Sequence, residues 1–236
     1  MSFKPLYILF TLYLFANSSI AAQEWLNKGL LAYYPLDGNA NDGKNERNDG
    51  TIIQVKAAPD RFDHPKKAIE VLGGGVEIYN VNIPKEKTTI TLWVKPNITT
   101  EVGKKNILSK HYSYANCELL IRLRPDGYYS AEWNIGATYF DLSKEEGAEL
   151  FKPSYSKFDF IVLRYDGNKA ELFVNNILSA RKYIKGEIVN NNKAIYLGSL
   201  SGFPKREAFI GALDELRIYN RALTNNEISQ LYNMKD

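Results

Sequence analysis

Short runs in which apolar and polar residues alternate recur from about residue 30 to residue 219. In 88–94, Ile90, Leu92 and Val94 occupy every second position, and the run 161–165 repeats this pattern. A period of two places alternate side chains on opposite faces of a sheet. Helical periodicity is confined to the last residues, where Thr224 and Glu227 have capping-box spacing. The pattern therefore predicts an all-β protein with a short C-terminal helix.

Turn-forming residues separate these runs, which predicts that successive strands are antiparallel. Pro125-Asp126-Gly127 separates 117–124 from 128–133, Asp166-Gly167-Asn168 separates 161–165 from 170–174, and Asn175-Asn176 joins 170–174 to 177–183. Gly73-Gly74-Gly75 predicts a further turn, between 68–72 and 76–81. The region 142–155 contains acidic residues, Gly and Pro, and it is interpreted as a long surface loop.

The N-terminus has the layout of a cleavable secretory signal. Lys4 precedes an apolar run over 6–15, which is followed by small residues up to Ala22. We expect cleavage after Ala21 or Ala22, so that residues 1–22 are the signal and 23–236 form one domain; a retained anchor is the alternative. No later segment approaches about 20 consecutive apolar residues, so we do not expect a membrane-embedded protein. The predicted location is extracellular or periplasmic.

Charge and cysteine content narrow the possible partners and the means of stabilisation. The formal charge of +3 includes Lys4, and the acidic and basic residues are scattered along the chain. A nucleic-acid partner is therefore not expected. Because Cys117 is the single cysteine, no intramolecular disulfide can form. Tyr is frequent, with 16 residues, which suits either glycan stacking or half-buried strands.

Several motifs resemble those of the laminin-G-like members of the concanavalin-A-like lectin/glucanase superfamily. In chain order, they are LLAYYPLDGNANDG at 30–43, NDGT at 48–51, TLWVKP at 91–96, RYDGNKAELFVNN at 164–176, IYLGS at 195–199 and FIGALDELRIYNRALTNNEISQLY at 209–232. The resemblance implies a two-sheet antiparallel jelly-roll sandwich in which the N- and C-terminal strands are neighbours. Phe158 stands where the family usually has Trp, and Asn175-Asn176 stands where it tends to have Asn-Gly.

Asp214 is a candidate metal ligand, because its position in the run 209–219 has the same parity as Leu216 and Ile218. Alternation would then point its carboxylate into the core, where it needs a cation or several hydrogen-bond donors. Other oxygen donors lie in the N-terminal loop: Asp37, Asn39, Asn41, Asp42 and Asp49. The resemblance implies that Asp37 and Asp214 approach each other, and the hard oxygen set suits a structural Ca²⁺. Hydrogen bonding of Asp214 to loop amides is the alternative.

Glucanases of the same superfamily carry paired carboxylates spaced Glu-x-Asp-x-x-Glu on one strand. Around Asp214, Ala212 replaces the first acid of that motif and Arg217 replaces the last. His64 and His111 have no metal-ligand spacing to another His or Cys. The adjacent acids at 145 and 146 are interpreted as a solvated loop. We therefore expect a non-catalytic protein, with a hydrolase or lyase as a remote alternative.

Aromatic residues are concentrated between 110 and 140, where we place the candidate ligand site. The proposed ligand-binding residues are Tyr112, Tyr114, Arg122, Tyr128, Trp133, Asn134 and Tyr139. Aromatic rings stack on the apolar faces of sugars, and neighbouring polar groups can bind their hydroxyls. The sequence thus predicts glycan binding, although some of these rings must be packing residues. The alternative is a domain that binds a cell-surface or extracellular protein without a sugar site.

Overall fold

The computed structural model describes residues 24–98, 103–111, 116–200 and 207–235. The chain divides into two units, Met1–Leu30 and Leu31–Asp236. In the first unit, residues 24–27 form one helical turn. The predicted signal at 1–22 lies outside the described residues and stays a prediction. Across the described ranges, no helix combines the length and the apolar character that a membrane span requires.

Antiparallel strands dominate the second unit, which confirms the predicted fold class. In the described part of the chain they are β1 (Leu30–Tyr34), β2 (Thr51–Ala58), β3 (Ala68–Ile78), β4 (Thr88–Pro96), β5 (Lys105–His111), β6 (Cys117–Leu123), β7 (Tyr129–Ile135), β8 (Thr138–Asp141), β9 (Asp159–Tyr165), β10 (Lys169–Val174), β11 (Ile177–Tyr183), β12 (Ile195–Leu197) and β13 (Ile210–Tyr219). Helix α1 spans Asn225–Asn233, and 3₁₀ turns lie at Glu46–Asn48 and Leu142–Lys144.

The strands form one curled sheet with the order β11-β10-β9-β4-β13-β3-β12-β5-β6-β7-β8, in which β1 also pairs with β13 and β2 with β3. Strand β3 connects two halves of this sheet. Its residues 69–72 pair with β13, and its residues 76–78 pair with β12. Both halves contribute to one hydrophobic cluster, for example through Leu92 of β4 and Leu119 of β6. The halves thus act as the two layers of a sandwich, and the terminal strands β1 and β13 are neighbours as the resemblance implies.

The turn expected at Gly73–Gly75 is absent, because β3 continues through these residues. Gly73 and Gly75 have φ values of +92° and +152°, so the strand changes direction here without ending. A Cβ on Gly75 would lie 1.8 Å from the Leu197 carbonyl oxygen, and one on Gly74 would lie 2.0 Å from the Ile53 carbonyl oxygen. Glycine is therefore required because two neighbouring backbones approach β3 closely.

The other turn and helix predictions are confirmed. The β6–β7 turn contains Gly127 at φ +83°, and the Gly127 amide donates to the Arg124 carbonyl oxygen at 2.9 Å. Asn175 and Asn176 adopt φ values of +51° and +65° in the β10–β11 hairpin. At α1, Thr224 and the Glu227 side chain form the reciprocal capping box. Local side-chain chemistry is sufficient to specify these features.

The Asp214 side chain lies on the opposite face of β13 from the one that the sequence predicts. A bulge interrupts β13 between Asp214 and Arg217, and Glu215 within it has φ +57°. The extra residue reverses the parity of the strand. Consequently Leu216 belongs to the main core, whereas Asp214 pairs with Trp93 on the opposite face. Asp214 is nevertheless 1% exposed, beside a smaller cluster in which Trp93 stacks on Tyr232, with ring centroids 5.7 Å apart.

Candidate ligand-binding cleft

The half of the sheet formed by β6, β7 and β8 has one apolar and one polar face. In β7, alternate residues from Tyr129 to Ile135 belong to the hydrophobic core. Ser130, Glu132 and Asn134 occupy the intervening positions, so they lie on the opposite face. Glu132 pairs with Asp141 of β8 in the antiparallel ladder. Strand pairing thus brings polar side chains of neighbouring strands together outside the core.

A cleft of about 450 Å³ lies on this polar face. Its lining residues are Lys104, Arg122, Arg124, Pro125, Glu132, Tyr139, Asp141 and Lys144. The regular strands β6, β7 and β8 fix the positions of the residues in the floor, whereas residues before β5, in the β6–β7 turn and in the 3₁₀ turn after β8 form the rim. Rigid strands therefore carry the central groups, and loops carry the peripheral cations.

Glu132 is the centre of the floor of the cleft. Its side chain is 0% exposed, and its two carboxylate oxygens contact the Arg122 Nη2 and the Tyr139 hydroxyl. A buried carboxylate is stable only with such a counter-charge and donor. The Arg122 side chain is 9% exposed, and its Nε has no hydrogen-bond partner in the described structure. Glu132 therefore holds the Arg122 guanidinium at the floor, with the Arg122 Nε buried.

Side-chain oxygens of Asp141, Ser143 and Asp126 accept hydrogen bonds at the edge of the cleft. Asp141 Oδ1 accepts from the Ser130 hydroxyl at 2.7 Å and from the Ser143 amide at 2.9 Å. Arg124 donates to the Ser143 hydroxyl at 2.9 Å and to Asp126 at 2.6 Å. The bond from Arg124 to Ser143 holds the loop after β8 against the β6–β7 turn.

The structure brings two of the proposed ligand-binding residues, Arg122 and Tyr139, into the cleft. Asn134 pairs directly with Tyr139 on the same face. Trp133 is 0% exposed in the main core, where its ring tilts against that of Tyr165. Tyr128 lies in the β6–β7 turn beneath the Lys152 ammonium, which is 4.8 Å from its ring centroid. Tyr112 and Tyr114 lie outside the described residues.

Sequence reasoning missed several residues of the cleft, and most of them are charged: Lys104, Arg124, Glu132, Asp141 and Lys144. The concentration of aromatic residues predicts a binding role for Trp133, but the structure places this residue in the core. The alternation of apolar and polar residues over 129–135 indicates the site better, because the polar residues of this run lie on the same face as Arg122 and Tyr139. The basic rim depends on loops, and sequence spacing does not fix how loops converge.

A second, smaller pocket of about 210 Å³ lies beside β1 and β13. Asp37 and Asp214 both line it, as the resemblance implies. Asp214 Oδ2 is 3.1 Å from the Arg61 guanidinium, and Asp37 Oδ2 is 2.5 Å from the Lys67 ammonium. The pKa of Asp214 is raised to about 8, chiefly by burial and also by the neighbouring Glu215, although Arg61 partly offsets these effects. Protein cations thus already face both carboxylates.

Three of the remaining candidate calcium ligands, Asn39, Asp42 and Asp49, accept hydrogen bonds from nearby residues. Asp42 accepts from the Tyr33 and Lys44 amides and from the Asn48 side chain, at 2.9 to 3.0 Å. The Tyr33 amide belongs to β1, and the other two donors belong to the loop. Two further hydrogen bonds join residues of the loop to one another. The Asn39 side chain accepts from the Asn41 amide, and Asp49 accepts from the Asp42 amide.

No three acidic, His or Cys side chains converge as a metal site within the described ranges. With Arg61 and Lys67 in place, the observed arrangement does not form a calcium cage. Calcium binding by these residues stays a prediction from the sequence.

Other groups considered in the sequence have structural contacts. Glu145 is 2.9 Å from the Lys182 ammonium, and His64 Nδ1 is 3.1 Å from Asp60. His111 is a buried residue of β5. Cys117 is also buried, and burial raises the pKa of its thiol to about 12. Because the thiolate is the reactive form, this thiol is inert at neutral pH.

Residues 72–229 match the sequence model of a family that is described as the concanavalin A-like lectin/glucanases superfamily. The match covers more than half of the chain and includes β4 to β13, together with every strand of the polar cleft. The chain therefore belongs to this superfamily. No curated protein sequence matches the chain.

Solved structures share this fold at low sequence identity. Domain 4 of AbnA, a GH43 extracellular arabinanase from Geobacillus stearothermophilus solved in complex with arabinotriose, has a TM-score of 0.65 and 19% identity; the alignment covers 86% of this chain and 98% of that one. The binding domain of Paraclostridial Mosquitocidal Protein 1 has a TM-score of 0.67 and 16% identity, with 87% and 52% covered.

A third structure is the botulinum neurotoxin serotype D ligand binding domain in complex with N-acetylneuraminic acid. Its TM-score is 0.62 and its identity 14%, with 89% of this chain and 52% of that chain covered. This chain thus spans about half the length of the toxin domains that it matches. At these identities the likeness establishes the fold alone.

Proposed function

We propose that this protein is a non-catalytic binding module that recognises carbohydrate in the cleft over β6, β7 and β8. The supporting observation is a polar face, outside the hydrophobic core, on which Arg122, Glu132 and Tyr139 line a cleft of about 450 Å³. A half-buried tyrosine ring beside fixed polar groups suits a sugar, which has both apolar faces and hydroxyls. The N-terminal sequence adds the proposal that the module acts outside the cytoplasmic membrane.

The structural neighbours give this proposal independent support. The arabinanase domain, which the chain matches over 98% of its length, was solved in complex with arabinotriose. The serotype D toxin domain was solved in complex with N-acetylneuraminic acid. Both ligands are carbohydrates, although the second domain is about twice the length of the matched region. Because fold does not determine function, the residues of the cleft remain the main support.

The state of the carboxylates favours binding over hydrolysis. Glu132 and Asp141 are paired across β7 and β8, as a glycosidase pair could be. However, Glu132 contacts both Arg122 and Tyr139, and Asp141 Oδ1 accepts three hydrogen bonds from Ser130 and Ser143. Carboxylates with these contacts can orient a ligand. They are already bound to protein donors, which does not favour proton transfer to or from a bound glycosidic bond.

Glycan-array screening of the purified protein, followed by calorimetry on the strongest hits, tests the proposal. Tyr139→Ala removes the ring from the cleft, and we expect it to weaken binding by about 10-fold or more, because stacking and burial of one aromatic ring contribute on that order. Tyr79→Ala is the matched control, since Tyr79 is 64% exposed and lines no part of the cleft. It should bind like the parent protein.

Three results would contradict the proposal. The first is the absence of any glycan ligand while an extracellular protein is captured, which would favour the protein-binding alternative. The second is equal binding by the Tyr139 and Tyr79 variants, which would place the site elsewhere. The third is the release of new reducing ends from a bound oligosaccharide, which would show that the protein is an enzyme.

A further inference from the structure

Cationic groups outnumber acidic groups in the cleft. Four of its lining residues are cationic, namely Lys104, Arg122, Arg124 and Lys144, and two are acidic, namely Glu132 and Asp141. The lining therefore has a net charge of +2. The whole chain has a net charge of +3, with acids and bases scattered along its sequence, so this local excess is not the result of a generally basic surface.

Both acidic side chains of the cleft already contact other groups of the protein. Glu132 is fully buried against Arg122 and Tyr139. Asp141 Oδ1 accepts three hydrogen bonds, and these bonds hold the 3₁₀ turn that begins at Leu142. A ligand in the cleft thus meets one carboxylate that is paired with Arg122 and a second whose Oδ1 is already engaged by hydrogen bonds from two serines.

The cations differ in how far they are already paired. Arg124 is 2.6 Å from Asp126, whose side chain is 45% exposed, so this pair is open to solvent and weak. Arg122 holds Glu132 through Nη2, but its Nε has no partner in the described structure. Lys104 and Lys144 form no ion pair with any residue in the described ranges, and Lys144 is exposed. Positive charge without a buried acidic partner thus lies mainly at the rim, whereas Arg122 at the floor is paired with Glu132.

We infer that the cleft selects glycans that carry a negatively charged group, either a carboxylate or a sulfate. This inference rests on the proposed function, because it names the ligand class of the same cleft. Lys104 and Lys144 attract the anionic group at the rim, and Arg122 with Arg124 offers planar N–H donors that match the oxygens of a carboxylate or sulfate. Tyr139 then contacts the sugar ring.

Paired anionic and neutral probes test this inference by calorimetry. Sialyllactose and trigalacturonate carry carboxylates, a chondroitin sulfate tetrasaccharide adds sulfate, and lactose and galactotriose are neutral controls. We expect the best anionic probe to bind at least about 10-fold more tightly than its neutral counterpart, and its affinity to fall as NaCl is raised from about 50 to 500 mM, because salt screens exposed charges. The carboxylate and sulfate probes distinguish the two anionic classes.

The double variant Lys104→Gln with Lys144→Gln removes the two lysine charges of the rim and leaves the Arg122–Glu132–Tyr139 floor unchanged. We expect it to fold normally, as circular dichroism would show, and to bind the best anionic probe about 10-fold more weakly. Lys66→Gln is the control, because Lys66 is an exposed lysine that lines no part of the cleft. This control should change affinity less than about 2-fold.

The outcomes separate a failure of the inference from a failure of the proposed function. Tight binding of neutral probes that depends on Tyr139 but not on the lysines would overturn the anionic inference and keep the carbohydrate function. An absence of binding by all anionic and neutral probes, and by the wider array, would overturn both.

Discussion

At the scale of single residues, Asp214 has the most unusual environment. It is buried on the face of β13 that lies away from the main core, 3.1 Å from Arg61. Burial is the largest cause that raises its pKa to about 8, and Arg61 only partly offsets it. Since the folded-state pKa exceeds the ordinary value near 4, the contribution of this group to stability is complete below about pH 4. It is lost as the pH rises through 8.

We therefore expect Asp214→Asn to melt at the same temperature as the parent protein near pH 4 and at a higher temperature at pH 8.5. Asparagine keeps a hydrogen-bond acceptor for Arg61 without a charge that burial penalises. The expected gain is about 1 kcal/mol or more at pH 8.5, which corresponds to roughly 2–4 °C for a domain of this size. Calorimetric melting between pH 4 and 9 provides the measurement.

Asp126→Asn is the control for this experiment, because the Asp126 side chain is 45% exposed and lacks the burial of Asp214. If Asp214→Asn is instead less stable than the parent at every pH, then the pair with Arg61 outweighs burial, and the ionised form is the stable one.

Single residues also show where sequence reasoning succeeds and fails. The positive φ angles at Asn175 and Asn176 and the capping box at Thr224 follow from local chemistry, and the sequence predicted them. The bulge at Glu215 follows from no motif, so parity placed Asp214 on the wrong face. Likewise, aromatic content does not distinguish a buried ring such as Trp133 from a ring in a cleft such as Tyr139.

At the scale of elements, β3 connects the two layers of the sandwich. It pairs with β13 before its glycines and with β12 after them. The three consecutive glycines predict a turn here, but in the structure they bend a continuous strand. Propensity cannot separate these outcomes, because both need glycine, and the close approach of Leu197 and Ile53 is a tertiary feature.

Gly75→Ala should therefore be strongly destabilising, whereas Gly73→Ala should be tolerated. The new Cβ at position 75 would lie 1.8 Å from the Leu197 carbonyl oxygen, which requires the strands to separate. We expect a loss of more than about 4 kcal/mol in the free energy of unfolding, or no folded protein. At Gly73, where nothing lies within 4 Å, only the positive φ is strained, at about 1–2 kcal/mol.

Urea titration of both variants measures this difference. Equal destabilisation of the two would mean that conformational strain, not the approach of the neighbouring strand, determines the need for glycine at these positions.

At the scale of the whole molecule, the sequence predicted the fold class, the antiparallel hairpins and the adjacency of the terminal strands, because alternation and turn residues recur along the chain. It did not predict how loops converge around β6, β7 and β8. The cleft and its basic rim are seen only in the structure. They depend on the curl of the sheet and on contacts between distant loops, such as the hydrogen bond from Arg124 to Ser143.

Calcium dependence of the melting temperature is a whole-molecule property that tests the sequence-predicted metal site. The predicted site implies a melting temperature several degrees higher in 5 mM CaCl₂ than in excess EDTA, a difference that Asp214→Ala should abolish. Calcium binding there would require Arg61 and Lys67 to move away from Asp214 and Asp37. Equal melting temperatures in the two buffers would contradict the prediction.

Locating the bound glycan tests most directly whether the cleft over β6, β7 and β8 is the binding site. Amide chemical-shift mapping by NMR, with the tightest oligosaccharide from the array, reports every backbone position that senses the ligand. We predict that the largest shifts lie in β6, β7 and β8 and include residues adjoining Arg122, Glu132 and Tyr139. Shifts confined instead to the smaller pocket beside Asp37 and Asp214, or to the β10–β11 hairpin, would contradict the central claim that the polar cleft is the binding site.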